Sequence, residues 1–216
     1  MAGYKKGQET KQRIYEAAKK MFYNFGYKHA TIEKISDEAG VPVGLVNYYF
    51  KKDEILYEVY KEFCTNIRRT IEDQAWNKIE NPLQSHVLFT RIFFTVVLSN
   101  DKNKELYKEI FTNELLDVGV EFMNESDFRR IVYEFKIDIS ENIFQRLITA
   151  EYGARRALLL DRYDRLDAVR SLDLINFLAT IAVRLAGVDI AVVMKNVRKA
   201  NEIFDTMDIS GLRFLP

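Results

Sequence analysis

The chain has few of the residues that interrupt helices or cross-link a fold. Only 3 prolines and 9 glycines occur among 216 residues. Long helices are therefore expected, because Pro removes a helical hydrogen bond and Gly lowers helix stability. The single cysteine, Cys64, excludes an internal disulfide and fits a reducing compartment. The most apolar run, 92–98, is far too short to span a bilayer, and Lys5 and Lys6 lead into a polar stretch rather than a signal peptide. We therefore expect a cytoplasmic protein without membrane contact.

Signatures of catalysis and of metal binding are also missing from the sequence. The chain has only 2 histidines and no Glu-x-x-His pair. It has no Gly-x-Ser-x-Gly elbow and no phosphate-cradling glycine loop. Aspartates recur at every third position over 161–167, but arginines lie between them, which indicates a charged, solvated helix end. We predict no enzymatic activity, no cofactor and no metal.

Acidic and basic residues balance over the whole chain but not along it. The totals are 32 lysines and arginines and 32 aspartates and glutamates. Up to residue 52 there are ten basic residues against five acidic ones, a charge of +5 that leaves −5 for the remainder. A basic segment on a neutral protein has the charge expected of a surface that meets nucleic acid.

The stretch 31–50 contains two short helical patterns joined by a turn. Ile32, Ile35 and Ala39 give the first pattern one apolar stripe. Thr31 is a good N-cap, because its hydroxyl accepts from a free N–H of the first turn. Gly40 supplies the backbone freedom needed to leave a helix. Two short helices in this arrangement predict a helix-turn-helix, whose second helix lies in the DNA major groove.

The second pattern begins after Pro42, which lacks an N–H and is tolerated where a helix opens. Val46 and Phe50 form its inward face. Asn pairs well with adenine, whereas hydroxyls and lysines suit phosphate oxygens. The predicted contacts with double-stranded DNA are Thr31, Val43, Gly44, Leu45, Asn47, Tyr48, Tyr49, Lys51 and Lys52.

These residues resemble the TetR family of bacterial transcription repressors over roughly the first 60 residues. The matching elements are Thr31, Ile35, the Ala39-Gly40-Val41 turn, Gly44, the aromatic triplet Tyr48-Tyr49-Phe50 and the helix start Asp53-Glu54-Ile55-Leu56, preceded by the 14–25 helix and Gly26-Tyr27. Two positions depart from the family pattern. Asn47 stands where Tyr is common, and the lysine that usually follows the Phe at three residues comes at two, as Lys52. Either Lys51 or Lys52 is therefore the phosphate contact.

The resemblance implies an all-α protein with a DNA-binding domain at 1–52 and a helical ligand-binding and dimerisation domain at 53–216. We predict a first helix through 14–25 and a long helix over about 53–79 that joins the domains. No alternating strand pattern of useful length follows. Helices are predicted at about 83–99, 102–122, 126–160 with a break near 150–153, 167–185 and 188–205.

Aromatic residues are frequent in the predicted second domain, where they form either a plain core or the walls of a cavity for a small, largely apolar or aromatic effector. Arg91 stands among apolar residues, so it needs a partner such as Glu114, Glu109 or an anionic ligand, unless it lies on a solvated face. His86 and Asn113 are further polar candidates. The predicted ligand contacts are Phe63, Trp76, His86, Phe89, Arg91, Phe93, Phe94, Tyr107, Phe111, Asn113, Glu114 and Tyr133.

The last two predicted helices are apolar over a broad face. Two such pairs, packed across a two-fold axis, bury this face more fully than one chain does, and paired DNA heads require a dimer. The predicted homodimer contacts are Leu172, Ile175, Leu178, Ala179, Ala182, Val193, Val197 and Phe204.

The sequence therefore predicts a dimeric, ligand-responsive transcriptional regulator, a repressor that binds a palindromic operator. One alternative is a DNA-binding protein of the same fold without a small-molecule inducer. Another is a helical protein-interaction module. A cavity in the second domain that contains a co-purified ligand favours the first reading, and a filled core favours the second. Absence of salt-dependent DNA binding favours the third.

Overall fold

The computed structural model describes residues 2–113, 115 and 117–216, and the side chains of 5–113, 115 and 125–216. Every regular element in this part of the chain is a helix, which confirms the all-α prediction. No helix among these residues is long and apolar enough to cross a membrane. The chain forms two compact units. The first comprises Met1–Phe63, Asn100–Leu116 and Arg213–Pro216, and the second Cys64–Ser99 and Asp117–Leu212.

The first unit contains the predicted helix-turn-helix. Its helices are α1 (Ala2–His29), α2 (Ile32–Ala39), α3 (Val43–Tyr49), the first half of α4 (Lys52–Ala75) and α6 (Asp101–Thr112). The division between the units falls inside α4 rather than at residue 52, because the first turns of α4 hold α1. Tyr15 on α1 donates to Glu62 at 2.5 Å, and Lys19 pairs with the same carboxylate at 3.2 Å.

The core of the first unit is built from the apolar stripes seen in the sequence. Ile14, Ala17, Ala18, Met21 and Phe22 of α1 are buried, as are Ile35 and Ala39 of α2 and Val46 and Phe50 around α3. α1 packs against both α2 and α6. One amphipathic helix therefore supports the helix-turn-helix on one side and α6 on another.

Gly26 breaks α1 near its end, with φ 73° and ψ 169°. Only glycine adopts this conformation readily. Glu109 on α6 accepts from the freed N–H groups of Tyr27 at 2.6 Å and Lys28 at 3.2 Å. A Cβ at Gly26 would lie 3.0 Å from Glu109 Oε1, so the glycine also leaves room for this carboxylate. The Glu109 side chain thus connects α6 to the break in α1.

The second unit contains the other half of α4, then α5 (Pro82–Val97), α7 (Asp117–Glu134), α8 (Glu141–Arg162), α9 (Leu172–Leu178), α10 (Ile181–Leu185) and α11 (Ile190–Phe204). Short 3-10 turns lie at Trp76–Lys78 and Tyr163–Arg165. α5 is central, because it packs against α7, α9 and α11.

The start of α5 is tied to α11 by side-chain amides. Asn81 caps α5 by accepting from Leu83 N–H at 3.1 Å and Gln84 N–H at 3.2 Å. Asn81 and Gln84 both donate to the side-chain oxygen of Asn196, at 2.8 and 2.9 Å. These bonds satisfy buried polar groups that would otherwise oppose folding.

Several predicted helix boundaries in the second unit are wrong. The predicted 126–160 helix is interrupted near Lys136, which has φ 50°, and α8 then runs unbroken through 150–153 from a Ser140 cap. The predicted 102–122 helix ends at Thr112. The predicted 167–185 helix begins only at Leu172, because the Asp167 carboxylate accepts from the N–H groups of Val169 and Arg170 and forms a local turn. It also divides into α9 and α10.

The C-terminal residues belong to the core of the first unit. Phe214 is 2% exposed, and its ring centroid lies 5.1 Å from that of Phe63. Leu215 beside it is also buried. The last residues of the chain therefore help to stabilise the unit that carries the helix-turn-helix.

We expect Phe214→Ala to lower the free energy of unfolding by about 3 kcal/mol, because it deletes a buried ring and leaves a cavity beside Phe63. Urea denaturation followed by circular dichroism measures the change. Pro216→Ala is the control, since Pro216 is exposed. A loss of less than about 1 kcal/mol for Phe214→Ala would contradict the packing described here.

Candidate functional sites

The turn between α2 and α3 is held by three local contacts. Thr31 Oγ1 accepts from Lys34 N–H at 3.3 Å and caps α2. Gly40 ends α2 in the left-handed region at φ 62° and ψ 43°. The Ser36 hydroxyl donates to the Val41 carbonyl oxygen at 2.6 Å. These contacts hold the turn that leads the chain into α3.

α3 has an inward and an outward face. Val46 and Phe50 are buried in the core of the first unit. Val43, Gly44, Asn47 and Tyr48 are exposed, while Leu45 and Tyr49 are half-buried. Tyr48 is 78% exposed, so its ring is open to a partner. The predicted outward residues thus share one accessible face.

Tyr49 contacts both α1 and the outward face of α3. Its hydroxyl lies next to Gly7 of α1, 3.2 Å from where a Cβ would stand. Its ring also meets the edge of the Tyr48 ring, with centroids 5.1 Å apart. The contact restricts Tyr48 while leaving its hydroxyl in water.

Lys51 and Lys52 lie in different surroundings. Lys52 Nζ stands 4.0 Å above the centroid of the Tyr27 ring, and the Tyr27 hydroxyl donates to Asp53. Burial lowers the pKa of Lys52, and the charges of Asp53 and Glu109 act against that decrease. Lys51 is exposed, and its N–H donates to Glu54 at 2.9 Å. Lys51 is therefore the more accessible cation after α3.

Residues 14–59, which include α2 and α3, match a family model described as bacterial regulatory proteins, tetR family. The chain is 28% identical over 137 residues to the HTH-type transcriptional regulator YhgD of Bacillus subtilis, covering 62% of this chain and 70% of that protein. The chain therefore contains a TetR-type N-terminal segment at residues 14–59. It is also 25% identical over 109 residues to the probable HTH-type regulator YttP of the same organism, spanning 50% of this chain and about half, 52%, of YttP.

Solved structures extend the similarity of fold to almost the whole chain. The crystal structure of RolR with its ligand resorcinol has a TM-score of 0.60 at 16% identity, covering 94% of this chain and 96% of RolR. RolR without ligand has a TM-score of 0.58 and covers 88% of this chain. The fold of RolR is therefore shared over most of the chain. The two similar Bacillus subtilis proteins are both described as transcriptional regulators.

The second unit contains an open groove of about 460 Å³ where the ends of α4, α5 and α7 meet. Its walls include Arg68, Glu72, Trp76, Phe89, Arg130 and Glu134. The volume lies within the range of ligand pockets in proteins, roughly 300–1,000 Å³. Trp76 is 63% exposed at this groove, so a large apolar surface is available to a ligand.

A buried carboxylate lies behind the groove. Arg68 donates to both oxygens of Asp127, at 3.1 and 2.9 Å, and its guanidinium lies 4.8 Å above the Phe89 ring. His86 Nδ1 is 3.5 Å from the same carboxylate. Burial would raise the pKa of Asp127, but His86 and Arg68 outweigh it and lower the pKa from 3.8 to about 2. Asp127 is therefore charged at neutral pH.

A second cavity, of about 20 Å³, lies deeper in the same unit and is large enough for about one water molecule. It is lined by His86, by Glu151 with its partner Arg155, and otherwise mainly by apolar side chains. Of the residues predicted to bind a ligand, His86 lines this cavity, and Trp76 and Phe89 line the groove.

The other predicted ligand residues do not gather at either cavity. Phe63, Tyr107, Phe111 and Asn113 belong to the first unit, and Phe93 and Phe94 are buried in the second. Tyr133 is 84% exposed, and Glu114 lies outside the described residues. Aromatic residues at helical spacing look alike in sequence whether they face a core, a groove or water.

Arg91 has partners that the sequence did not suggest. Its guanidinium donates to the Asn201 side chain at 2.5 Å, pairs with Asp205 at 3.1 Å, and lies 4.0 Å above the Phe204 ring. These residues lie on and after α11, whereas the sequence suggested Glu109, Glu114 or an anionic ligand. Arg91 therefore joins α5 to α11 and does not line the groove.

The residues predicted to form the dimer contact fall mostly inside the unit. Ile175, Leu178, Ala179, Val193 and Val197 are buried, while Leu172, Ala182 and Phe204 are half-buried. Neighbouring positions on α9–α11 expose apolar side chains instead, namely Phe177, Leu185, Ile190 and Met194. We call these four residues the α9–α11 surface. Arg184 connects two of them, with its guanidinium 5.2 Å from the Phe177 ring and 3.6 Å from the Met194 sulfur.

The Arg68–Asp127 pair predicts an acid-sensitive contribution to stability. The folded pKa of Asp127, about 2, lies below its ordinary value of 3.8, so the contribution is present above about pH 4 and is lost as the pH falls towards 2. We expect the stability difference between wild type and Asp127→Asn to shrink by about 2 kcal/mol between pH 5 and pH 2.

Urea denaturation at several pH values measures this difference. Asp138→Asn is the matched control, because Asp138 is exposed in the loop before α8. A constant difference between wild type and Asp127→Asn would show that Asp127 is not held in its charged form by Arg68 and His86.

Proposed function

We propose that the protein is a dimeric, ligand-responsive transcriptional repressor. Two copies of α3 would bind the half-sites of a palindromic operator, and a small effector bound in the second unit would release them. The observation that carries the proposal is the outward face of α3. It holds Asn47 and Tyr48 in water while Val46 and Phe50 anchor the helix in the core.

The chemistry of this face suits DNA. Asn47 offers an amide that can pair with adenine through two hydrogen bonds, and Val43 can contact a thymine methyl. The hydroxyls of Thr31, Tyr48 and Tyr49 and the ammonium of Lys51 suit phosphate oxygens. Apart from its two chain neighbours and the nearby backbone of α3, nothing lies within 4 Å of where a Cβ of Gly44 would stand, so the backbone of α3 can approach the groove closely.

A dimer would form through the α9–α11 surface, with the predicted residues behind it providing a rigid support. Its support is that four apolar side chains of α9–α11 are exposed and that Arg184 contacts two of them, Phe177 and Met194. A two-fold axis would place the same patch of both subunits together and pair the two heads for half-sites about 34–36 Å apart or somewhat more.

The effector site is proposed to be the groove that Trp76 and Phe89 line. RolR, which shares this fold, is known in a complex with resorcinol, a small aromatic molecule. An aromatic effector in the groove would favour a different angle of α4, which ends at Ala75, next to Trp76. By linkage, operator DNA must lower the affinity for the effector by the same factor as the effector lowers the affinity for DNA.

The roles of Tyr48 and Asn47 can be separated by binding measurements on an operator and its single-base variants. We expect Tyr48→Ala to weaken binding to all of these sequences by about tenfold or more, because a phosphate contact carries no sequence information. Asn47→Ala should remove about 1–3 kcal/mol of preference at one base pair. The exposed Tyr133 provides the control, since Tyr133→Ala alters no residue of the head.

Equal operator affinity in wild type, Tyr48→Ala and Asn47→Ala would contradict the assignment of α3 as the reading helix. If Asn47→Ala instead weakened every sequence equally, Asn47 would be a backbone contact and the base readings would lie elsewhere on the face.

Lys51 and Lys52 are distinguished by the salt dependence of operator binding. We expect Lys51→Ala to reduce the slope of log affinity against log salt by about 0.9 for each subunit, the effect of losing one phosphate contact. Lys52→Ala should leave the slope nearly unchanged, because Lys52 lies over the Tyr27 ring. The reverse result would assign the phosphate contact to Lys52.

A further inference from the structure

We infer that the groove in the second unit selects positively charged aromatic molecules, such as arylalkyl ammonium ions. The inference rests on the proposed effector role of the groove and adds the chemical class of its ligand. Three properties of the groove carry it: the exposed Trp76 ring beside a half-buried Phe89, an excess of carboxylates, and an arginine that is already neutralised.

The aromatic walls face a space large enough for a ring. Trp76 begins the 3-10 turn after α4, and its carbonyl oxygen accepts from Ile79 N–H at 3.4 Å, which closes the turn. Phe89 lines the same groove from α5, half-buried. The electron-rich faces of such rings attract cations as well as other rings.

Carboxylates outnumber the available cations along the groove. Glu72, Glu80 and Glu134 line it, against Arg68 and Arg130. Arg68 is neutralised by Asp127, which lies behind the groove. Arg130 and Glu134 lie one turn apart on α7, so the charge of Arg130 can at most neutralise that of Glu134. Two carboxylates of the groove remain available to a ligand, Glu72 and Glu80. Glu80 pairs only at 4.0 Å with Lys199, and both of these side chains are exposed.

An anionic ligand would meet an unfavourable site. Two nitrogens of the Arg68 guanidinium already donate to Asp127, and its face lies over Phe89. An anion at this arginine would therefore be repelled by the buried, charged Asp127 carboxylate and could use only the remaining N–H groups. A cation meets the remaining carboxylates without breaking any of these contacts.

Tryptophan fluorescence reports on this site alone, because Trp76 is the single tryptophan of the chain. Three probes share one ring and differ in charge: benzyltrimethylammonium, benzyl alcohol and phenylacetate. Isothermal titration calorimetry measures their affinities for the full chain, and the Trp76 emission shows whether each binds at the groove. We expect the cation to bind about tenfold more tightly than the alcohol, and phenylacetate to bind more weakly than either.

Replacement of the carboxylates tests the cause of this preference. The double variant Glu72→Gln with Glu80→Gln should lose about tenfold in affinity for the cation while binding benzyl alcohol as before. Glu202→Gln, an exposed substitution on α11 away from the groove, should behave as wild type. Trp76→Phe should keep an aromatic wall, and calorimetry should still detect binding without the emission change.

The inference is overturned if the three probes bind equally, if phenylacetate binds best, if none of them binds, or if Trp76 does not respond to the cation. Its failure is distinct from that of the proposed function. Selective binding of the cation without release of operator DNA would contradict the effector role and leave the selectivity intact. Operator binding that depends on Tyr48, without any cation binding, would leave the DNA-binding role intact.

Discussion

The account depends on the anchoring of a helix that is too short to be stable alone. α3 has 7 residues, well below the length at which an isolated helix forms in water. It exists because Val46 and Phe50 are buried in the core of the first unit, where α3 packs against α2. Burying this pair also decides which residues face outward, since helical geometry places Asn47 and Tyr48 on the opposite side. The proposed DNA-binding surface is thus a consequence of core packing rather than of an independent feature.

The first unit is more than a three-helix head. Glu109 from α6 accepts from two N–H groups at the break in α1, and Phe214 from the end of the chain packs on Phe63 of α4. Residues distant in sequence therefore help to hold together the unit that carries α3. α4 begins beside Lys51 and ends beside Trp76, so a single continuous helix connects the proposed DNA-binding and effector sites along the chain. A change in this helix is a natural way for one proposed site to influence the other.

Local signals in the sequence were sufficient for the head but not for the body. Thr31, Gly40 and Pro42 act through their own backbone neighbours, and the stripe from Ile14 to Phe22 has one helical period, so α1, α2 and α3 were predictable. The partner of Arg91 was not, because Asp205 is more than one hundred residues away and no local rule links them. The same limit applies to the aromatic residues. Phe94 and Trp76 are equally apolar in sequence, yet one is buried and the other lines a groove. Likewise, the sequence of α9–α11 did not show which of its apolar side chains are buried within the second unit and which are exposed.

The central claim is that two copies of the outward α3 face read DNA together, and selection from a pool of random DNA duplexes tests it most directly. The bound fraction is sequenced after several rounds with the purified full chain. The account predicts enrichment of an inverted repeat whose half-sites are centred about one helical turn apart, roughly 34–36 Å or somewhat more. Enrichment of a single, unrepeated half-site, or no enrichment over the starting pool, would contradict it.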